Sequence, residues 1–515
     1  MLATILSAGL IGIDAYDVDV EVDAAAGLPQ WTIVGLPLGA VKESRDRVGA
    51  ALINSGFKLP PRRITVNLAP ADRRKEGTAF DLPLAIGILV ATGQLSESSV
   101  ARTSFAGELG LDGVIRGIKG ALPIARRAAE RDDVDALVLP SANVFESSRV
   151  TRVSLLAPPN LRTLVQELHS GQLTPASRAT VSRGSPPDTP DFAEVVGQQA
   201  AKRALEVAAA GSHNVLMIGP PGAGKTMLAR RLPAILPPLS EEEALEVIAI
   251  HSVAGTLALD HFEACTRPFR APHHSISTAG LIGGGSSPRP GEVSLAHNGV
   301  LFLDEMLEFS RSTLEGMRQP MEDGHVRIAR ASSSVNFPAR FSLVGATNPC
   351  PCGRLGDPAG ACVCSGVDIE RYTRRLSGPL ADRIDMHVTV GAVSLLDIAG
   401  PPTGEVTRSI RARVEAAREV QRRRYAHLAG VTCNAYVPGR WIDSHGRVES
   451  SARVLLQRAA SALSLSARSY HRVLRVARTI ADLDGDRGVI DADIAEALRY
   501  RPSGGPPTFV SPSDS

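Results

Sequence analysis

The chain has 515 residues, 43% of them hydrophobic, which by length is enough for about three domains with their own cores. Its net charge of +2 excludes a basic field over the whole surface, so nucleic acid could be bound only by a local patch. The longest apolar stretch, residues 82–91, is too short to cross a bilayer, and residues 2–13 lack the flank and cleavage site of a leader. We therefore expect a cytoplasmic protein with no membrane contact.

The first third of the chain, residues 1–172, is predicted to form an α/β domain. Valines 18, 20 and 22 alternate with acidic residues, a period of two that is typical of a half-buried strand. Further strands are predicted at residues 31–34 and 64–68. Helical spacing is found at residues 40–55, 80–92 and 122–131. This mixture of elements predicts a unit with its own core.

Three stretches of this region resemble the N-terminal domain of the YifB/ComM family of magnesium-chelatase-like proteins. They are Gly-Leu-Pro-Gln-Trp-Thr-Ile-Val-Gly-Leu-Pro (27–37), Glu-Ser-Arg-Asp-Arg-Val (43–48) and Ile-Thr-Val-Asn-Leu-Ala-Pro-Ala-Asp (64–72). The resemblance implies a fold similar to the proteolytic domain of Lon.

The residues that a Lon-like protease needs are not in place in this domain. In Lon-like proteases a serine nucleophile follows a Lys-Asp-Gly-Pro stretch, and a later lysine activates it. The matching stretch here is Lys75-Glu76-Gly77-Thr78-Ala79, which places Ala79 at the serine position, and no lysine occurs at residues 122–123. We predict a non-proteolytic scaffold, with Thr78 as a substitute nucleophile the alternative.

Residues 173–190 are rich in Pro, Ser and Thr without apolar periodicity, which predicts a flexible linker. The stretch Val195-Val196-Gly197-Gln198, followed by a helix, resembles the segment that opens AAA+ ATPase modules and touches the adenine. We place the ATPase core at residues 191–395.

A phosphate-binding loop is predicted between a buried strand at residues 215–218 and a helix at residues 227–235. The loop consists of Gly219, Pro220, Pro221, Gly222, Ala223, Gly224, Lys225 and Thr226. Its backbone N–H groups would surround phosphates, Lys225 would reach the β and γ phosphates of ATP, and Thr226 would bind Mg²⁺. An ordinary glycine-rich turn is the alternative.

Two further strands are predicted to end in polar groups at the same sheet edge. Residues 300–303 are apolar and lead to Asp304 and Glu305, expected to hold Mg²⁺ and to polarise the attacking water. The strand at residues 341–346 leads to Asn348, which resembles the AAA+ sensor next to the γ phosphate. A turn cap before Pro349 is the alternative for Asn348.

Arginines after the sensor strand are candidates for contacts with nucleotide. Arg383 matches the arginine finger in the Leu-Leu-Asp-Arg motif of the family, with Arg375 second, and a surface arginine paired to Asp382 or Asp385 is the alternative. A finger acts on the neighbouring subunit, so it implies a ring or a dimer. Further on, Arg468 resembles the second sensor that contacts the γ phosphate, with Arg472 the alternative.

Two insertions in the ATPase core are predicted to face a polymer. The first contains His273-His274, Gly283-Gly284-Gly285 and Pro288-Arg289-Pro290-Gly291 and resembles the helix-two insertion of chelatases and ring helicases. We favour a structural or signalling role for the adjacent histidines over metal binding.

The second insertion, residues 324–337, has the alternation of a β-hairpin. Its Arg327 and Arg330 are candidate contacts to DNA phosphates, and a solvated hairpin with incidental arginines is the alternative.

Four cysteines follow the sensor strand in two close pairs, Cys350-Pro-Cys352 and Cys362-Val-Cys364. Two pairs of thiolates can close a structural Zn²⁺ site, although this spacing is tighter than the usual Cys-x2-Cys. Free buried thiols are the alternative.

The end of the chain is predicted to be helical, with segments at residues 407–424, 451–463, 468–483 and 491–500. Residues 396–501 would form a lid over the nucleotide. The tail, residues 502–515, is rich in Pro, Gly and Ser and is expected to be disordered.

The resemblance to the YifB/ComM family covers almost the whole chain and implies a hexameric AAA+ ATPase with ATP and Mg²⁺ as cofactors. In the ComM branch it implies an ATP-driven DNA helicase that promotes branch migration during recombination of imported DNA. A magnesium-chelatase-type ATPase subunit and a protein-remodelling ATPase are the alternatives.

Overall fold

The computed structural model of the chain describes residues 1–177, 190–257, 266–285, 287–330, 333–356, 360–391 and 404–501. Most of the predicted linker, residues 178–189, and the predicted tail, residues 502–515, lie outside the described residues. Among the helices that are described, none combines the length and the hydropathy needed to cross a bilayer.

The N-terminal body, residues 1–177, is built on a seven-stranded mixed sheet in the order β3-β4-β2-β1-β5-β8-β9. Its elements are β1 (Leu2–Ile11), β2 (Asp14–Ala25), β3 (Gln30–Val34), α1 (Ala40–Asn54), β4 (Arg63–Ala69), α2 (Asp81–Ala91), β5 (Thr103–Phe105), β6 (Glu108–Leu109), β7 (Ile115–Arg116), α3 (Ala121–Glu130), β8 (Ala136–Val138), α4 (Val144–Ser147), β9 (Ser154–Leu156) and α5 (Leu161–Ser170). Apart from Asp81 at its start, helix α2 is apolar all round, and every one of its residues is buried, so it forms the centre of this core.

The central body, residues 190–391, contains a parallel five-stranded sheet in the order β11-β14-β17-β10-β18. Its elements are α6 (Gln199–Gly211), β10 (Val215–Ile218), α7 (Lys225–Ile235), α8 (Glu241–Ala254), β11 (Phe269–Arg270), α9 (Thr278–Ile282), β12 (Gly283–Gly284), β13 (Arg289–Pro290), α10 (Glu292–Leu295), β14 (Val300–Leu303), α11 (Arg311–Gly316), α12 (Arg318–Asp323), β15 (His325–Arg330), β16 (Ser333–Pro338), β17 (Ser342–Thr347), α13 (Gly366–Thr373), α14 (Gly378–Ala381) and β18 (Met386–Thr389). Strands β10, β14 and β17 are buried along their whole length, as parallel strands covered on both faces are.

The C-terminal helical body, residues 404–501, packs onto one face of the parallel sheet. Its helices are α15 (Thr407–Tyr425), α16 (Gly439–His445), α17 (Ser450–Ala462), α18 (Ala467–Leu483) and α19 (Asp491–Arg499). Val215 and Met217 of β10 share a hydrophobic cluster with residues of α15 and α18, whereas Leu216 and Ile218 face a separate cluster on the other side. The alternation of side chains along one strand therefore joins two layers to the sheet.

A buried carboxylate also ties the C-terminal helical body to the sheet. Asp385 accepts a hydrogen bond from the backbone N–H of Asn214 at 3.0 Å and pairs with Arg472 Nε at 3.2 Å. Burial alone would raise the pKa of Asp385, but His213 and Arg472 lower it to about 2. The carboxylate is thus charged near neutral pH, and helix α18 is anchored beside the start of β10.

The N-terminal and central bodies are joined by an apolar contact and by backbone hydrogen bonding. Leu122 of α3 packs in a cluster with Val247 and Ile248 of α8. Gly120 N–H donates to the carbonyl of Ser252 at 3.1 Å. Helix α8 begins at a capping box made by Ser240 and Glu243, which fixes its first turn and hence the face it presents.

The predicted fold class, a Lon-like α/β domain followed by a parallel-sheet ATPase core and a helical region, is confirmed. The predicted helices at residues 40–55 and 80–92 correspond to α1 and α2 within one residue at each end. Strand β1 and helix α8 were not predicted. The run that forms β1 is apolar on both faces for much of its length, so it lacks a clear period of two.

One ion pair in the N-terminal body explains part of the motif at residues 43–48. Arg47 donates to both carboxylate oxygens of Asp81, at 2.9 and 3.1 Å, and Ser44 donates to the same carboxylate. Asp81 is completely buried, and burial raises the pKa of its carboxyl against the opposing effect of Arg47. The two-pronged geometry is that of a charged pair.

We expect Arg47→Ala to destabilise the N-terminal body by about 3–5 kcal/mol, because it leaves a buried carboxylate without its counter-charge. The measurement is the urea midpoint of the N-terminal transition followed by circular dichroism. Arg45→Ala is the matched control, since Arg45 is exposed and pairs with exposed Asp46. An Arg47→Ala midpoint equal to that of Arg45→Ala would contradict this account of the pair.

Candidate nucleotide site

The groups of the predicted site emerge at one edge of the parallel sheet because three strands are in register. Ile218 of β10 lies opposite Thr347 of β17, and Leu303 of β14 lies opposite Gly345. The phosphate-binding loop, Asp304 and Asn348 therefore follow neighbouring strand ends. Ligands of open parallel sheets bind at this edge.

The loop after β10 depends on glycine at several positions. A Cβ atom at Gly219 would lie 2.1 Å from the carbonyl oxygen of Val390, so no larger residue fits there. Gly222 and Gly224 have φ angles of 79° and 84°, in the left-handed region that favours glycine. Gly224 is the N-cap of α7, so the loop passes directly into the amino end of a helix.

Lys225 is buried and connects the loop to the end of strand β17. Its Nζ donates to the carbonyl oxygens of Gly219 and Pro220, at 2.6 and 2.9 Å, and to Asn348 Oδ1 at 3.2 Å. Burial lowers the pKa of Lys225, whereas the charges of Asp304 and Glu305 raise it. The ammonium group is held between the two strand ends at which phosphates would lie.

Thr226 and Asp304 bring a hydroxyl group and a carboxylate together. Thr226 Oγ1 donates to Asp304 Oδ2 at 2.7 Å. The other carboxylate oxygen of Asp304 accepts the backbone N–H of Glu305 at 3.0 Å. Oxygen donors of these two types suit Mg²⁺, so the residues fit the ion that ATP carries.

Glu305 lies at the mouth of the site and has an unusual backbone. Its φ angle of 49° places it in the left-handed region, and its side chain is exposed. His274 Nδ1 lies 3.7 Å from the Glu305 carboxylate. The strained backbone turns this carboxylate away from the strand direction, out of the apolar core.

A cleft of about 430 Å³ opens between these groups. It is lined by Pro221, Gly222, Ala223, Gly224, Lys225, Thr226, Met227, Asp304, Glu305, Ala346, Thr347 and Asn348. Most of the loop, both acidic residues and Asn348 are thus brought together.

The candidate arginines are not among the residues that line this cleft. Arg383 and Arg468 both bind the carboxylate of Glu322 on α12, and the Arg468 contact is 3.0 Å long. Hydrogen bonding from Arg383 lowers the pKa of Glu322. Arg375 binds the Leu307 carbonyl instead, at 3.0 Å. Sequence reasoning missed Glu322, because a lone glutamate on a short helix gives no signal of its own.

The alternative second sensor, Arg472, is occupied elsewhere. It is buried against Asp385, and burial lowers its pKa to about 10. Arg468, with a side chain 52% exposed, is the freer of the two arginines in the described chain.

The predicted hairpin is formed by strands β15 and β16, which pair from His325 opposite Pro338 to Arg330 opposite Ser333. Val326 and Phe337 are buried, whereas Arg327 and its cross-strand partner Asn336 are exposed. One face of the hairpin therefore covers the core and the other presents polar groups. The side chain of Arg330 lies outside the described part of the structure.

The two insertions lie against each other. A Cβ atom at Gly283 would lie 3.4 Å from Ile328 Cδ1 of the hairpin. Gly284 pairs with Arg289 in the small β12–β13 ribbon, and Arg289 is exposed. The sequence analysis placed Arg289 in the first insertion but gave it no role. Packing between segments that are distant in sequence produces no local sequence pattern, so the position of Arg289 beside the hairpin could not be predicted.

The four cysteines form a compact group. Their sulfur atoms all lie within 4.8 Å of one another, and Cys350, Cys352 and Cys362 are separated by 3.4 to 3.7 Å. Within the described residues this is the group with metal-ligand spacing, and His273 and His274 are not part of one. Backbone N–H groups of Arg354 and Val363 donate to Cys352 and lower the pKa of its thiol to about 6.

The position of a Lon-type nucleophile is filled by a packing residue. Ala79 contacts the hydrophobic cluster around α3, and its carbonyl accepts the N–H of Gly107 at 2.9 Å. Lys75 is fully buried, and its Nζ donates to the carbonyl of Pro70. This stretch serves the architecture of the N-terminal body.

Comparison with known proteins gives consistent matches along the chain. The family models that match are Magnesium chelatase, subunit ChlI, at residues 191–398, Subunit ChlI of Mg-chelatase at residues 20–143, and Magnesium chelatase, subunit ChlI C-terminal, at residues 404–501. Competence protein ComM of Haemophilus influenzae is 42% identical over 507 residues, which is 97% of each chain. A YifB protein of Escherichia coli is 40% identical over 511 residues, again 97% of each chain.

The chain belongs to the YifB/ComM family of magnesium-chelatase-like AAA+ ATPases. Lon protease 2 of Bacillus subtilis is 29% identical over 230 residues, 40% of this chain and 41% of that one. Membership of the family makes this chain an AAA+ ATPase, for which ATP and Mg²⁺ are the cofactors. The cleft described above has the donor groups that both of them require.

We expect Gly219→Ala to weaken ATP binding by this AAA+ ATPase at least about tenfold, since the new methyl group must displace either the loop or the Val390 carbonyl. Titration with a fluorescent ATP analogue measures the affinity. Gly366→Ala is the control, because a Cβ atom there meets nothing within 4 Å. Equal affinities for the two variants would show that the close approach at Gly219 is not required.

Proposed function

We propose that this AAA+ ATPase is a ring-forming motor that moves along DNA, a helicase or branch-migration factor acting in recombination during natural transformation. The observation that carries the proposal is the hairpin of β15 and β16, which presents exposed Arg327 and joins directly to the sensor strand β17. The extensive similarity to a competence protein supports the same process.

Hydrolysis would use the groups that line the cleft. Lys225 would exchange its carbonyl partners for β and γ phosphate oxygens, and Asn348, 3.2 Å from Lys225, would contact the γ phosphate. Glu305, exposed at the mouth of the site, would orient and polarise the attacking water.

Thr226 and Asp304 would hold Mg²⁺, directly or through water. When bound, the ion neutralises phosphate charge. The 2.7 Å contact between their oxygens supports this pairing, because it brings both groups to one position between the loop and β14.

The site would be completed by a second copy of the chain. Arg383 and Arg468 both bind Glu322 and do not line the nucleotide cleft of their own subunit. One of them could therefore contact the nucleotide that is bound to a neighbouring subunit. We assign Arg383 as the finger in trans and Arg468 as the second sensor. The assembly proposed is a hexameric ring, in which each cleft faces a neighbour.

Movement of the polymer would follow from the connection between hairpin and sensor. Strand β16 ends at Pro338 and β17 begins at Ser342, so a shift of Asn348 on hydrolysis is transmitted along one strand to the hairpin. Arg327 would contact the phosphate backbone without reading sequence, and Arg330 is proposed for the same role. Such contacts suit a motor that must pass any sequence.

The organisation proposed for the chain is a non-proteolytic Lon-like domain at residues 1–172, a linker at 173–190, the ATPase core at 191–395, the helical lid at 396–501 and a tail at 502–515. We also propose that the four cysteines bind a structural Zn²⁺ ion. A chelatase-type subunit, which the family models favour, is the second candidate function.

We expect forked DNA to increase ATP turnover. We expect Arg327→Ala to weaken DNA binding and to reduce the slope of log binding constant against log salt concentration by about 1, because one phosphate contact is removed. Steady-state ATPase assays and DNA retention at several salt concentrations measure both effects. Arg152→Ala is the matched control, an exposed arginine on the N-terminal body that pairs with Asp132. Absence of both DNA stimulation and DNA retention at low salt would rule out the DNA motor and favour the chelatase-type function.

We expect Lys225→Ala and Arg383→Ala to be inactive alone and active when mixed. In a ring assembled at random from equal amounts of the two variants, roughly a quarter of the interfaces combine an intact Lys225 with an intact Arg383 from the neighbour. About a quarter of the wild-type ATPase activity should therefore return. Native mass spectrometry confirms that mixed assemblies form. Mixed assemblies without recovered activity would show that Arg383 does not act across the interface.

A further inference from the structure

We propose that the four-cysteine group binds one zinc ion and that this ion fixes the Asn348 amide beside Lys225, so that the metal content of the protein sets its rate of ATP turnover. The proposal deepens the function proposed above, because it rests on the role of Asn348 in hydrolysis. It adds a metal-dependent positioning device to the ATP site.

The spacing of the sulfur atoms selects the kind of metal centre. Four sulfurs bound at roughly 2.3 Å to one zinc ion lie roughly 3.8 Å apart at the corners of a tetrahedron. The separations among Cys350, Cys352 and Cys362 are 3.4, 3.6 and 3.7 Å. An iron–sulfur cluster would have to fit its own iron and sulfide ions between the same thiolates, and sulfurs this close leave no room for them.

Backbone donors around the sulfurs match a thiolate site as well. The N–H of Leu355 donates to Cys350 Sγ at 3.4 Å, and N–H groups of Arg354 and Val363 donate to Cys352. The five cysteines in the described chain are free, so the group is not consumed by disulfides. Hydrogen bonds of this kind orient the ligands of a metal and offset their charge.

The group is attached directly to the sensor. Cys350 lies two residues after Asn348 and is completely buried. Its carbonyl accepts the N–H of Gly353 at 2.9 Å, which closes a tight turn. A Cβ atom at Gly353 would lie 2.6 Å from Pro221 and 3.8 Å from the Asn348 side chain. The turn that carries the first two cysteines thus rests on the phosphate-binding loop itself.

The second pair of cysteines connects the same turn to another wall of the site. Cys364 immediately precedes Ser365, the N-cap of α13, which forms a capping box with Asp368. Beyond that helix, Arg375 binds the carbonyl of Leu307, just after Asp304 and Glu305. One ion would therefore connect the end of the sensor strand, through α13 and Arg375, with the segment that follows the acidic residues.

Without the ion, the two cysteine pairs would keep only weak links, such as the hydrogen bond from the Val363 N–H to Cys352. The two cysteine pairs are separated by nine residues, and closing a loop of that length costs conformational entropy that a metal–thiolate site repays. Loss of the ion would free the Cys350 turn and let Asn348 move away from Lys225, whereas the phosphate-binding loop keeps its own attachment to β10 and α7. ATP hydrolysis should then fall much more than ATP binding.

The test uses the full chain, purified without a metal-affinity step. Metal analysis should find about one zinc per chain, and replacement by Co²⁺ should give the visible absorption of a tetrahedral thiolate site. Cys362→Ser with Cys364→Ser should lose the zinc, whereas Cys433→Ala, which removes a buried thiol outside the group, should keep it. A wild-type chain that takes up neither Zn²⁺ nor Co²⁺ would overturn the metal site.

The role in turnover is tested separately. In the zinc-free double variant kcat should fall at least about tenfold with the ATP affinity changed less than threefold, and adding Asn348→Ala should cause no further loss. The positioning role is wrong if zinc is lost while kcat is unchanged. It is also wrong if the kcat losses caused by zinc removal and by Asn348→Ala multiply when both changes are combined. Thermal unfolding of the double variant reports whether it folds. If it does not fold, zinc is removed from the wild-type chain with a chelator, and the same two quantities, kcat and ATP affinity, are compared. If wild-type protein holds zinc but lacks ATPase activity, the proposed function fails and the metal site stands.

Discussion

Strands β10, β14 and β17 lie side by side in parallel, and their backbone hydrogen bonds determine which residues emerge together at the sheet edge. Ile218 opposite Thr347 and Leu303 opposite Gly345 place the loop, the acidic pair and the sensor at one height. A shift of one residue in any of the three strands would turn its side chains to the opposite hydrophobic layer and misplace its polar end. The burial of every residue in these strands therefore protects the chemistry as well as the fold.

The surface proposed for DNA depends on packing between parts of the chain that are distant in sequence. The hairpin lies against the β12–β13 ribbon through Ile328 and Gly283. Glu76 of the N-terminal body accepts a hydrogen bond from Ser287 in the same insertion. The hairpin and the glycine-rich insertion are therefore both supported by neighbouring segments, which lowers the entropy lost when a ligand binds them.

The sequence was informative wherever a local pattern reflects local chemistry. Strand β10 followed by Gly219 to Thr226 could be predicted because buried parallel strands are continuously apolar and phosphate binding requires glycine at special backbone angles. The partners of Arg383 and Arg468 could not be predicted, since Glu322 is brought to them by tertiary packing alone. The cysteine spacing indicated a metal site. The close approach of its Gly353 turn to Pro221 could not be predicted, because it depends on tertiary packing.

The β1–β2 turn of the N-terminal body touches the hairpin, because a methyl group at Gly12 would lie only 2.7 Å from Val335 Cγ1. Leu122 of the same body completes the apolar cluster on α8. Cutting the chain after residue 172 would accordingly expose apolar surface on the ATPase and remove a support from the hairpin. The N-terminal body thus supports both α8 and the hairpin of the ATPase through contacts that the central body alone would lack.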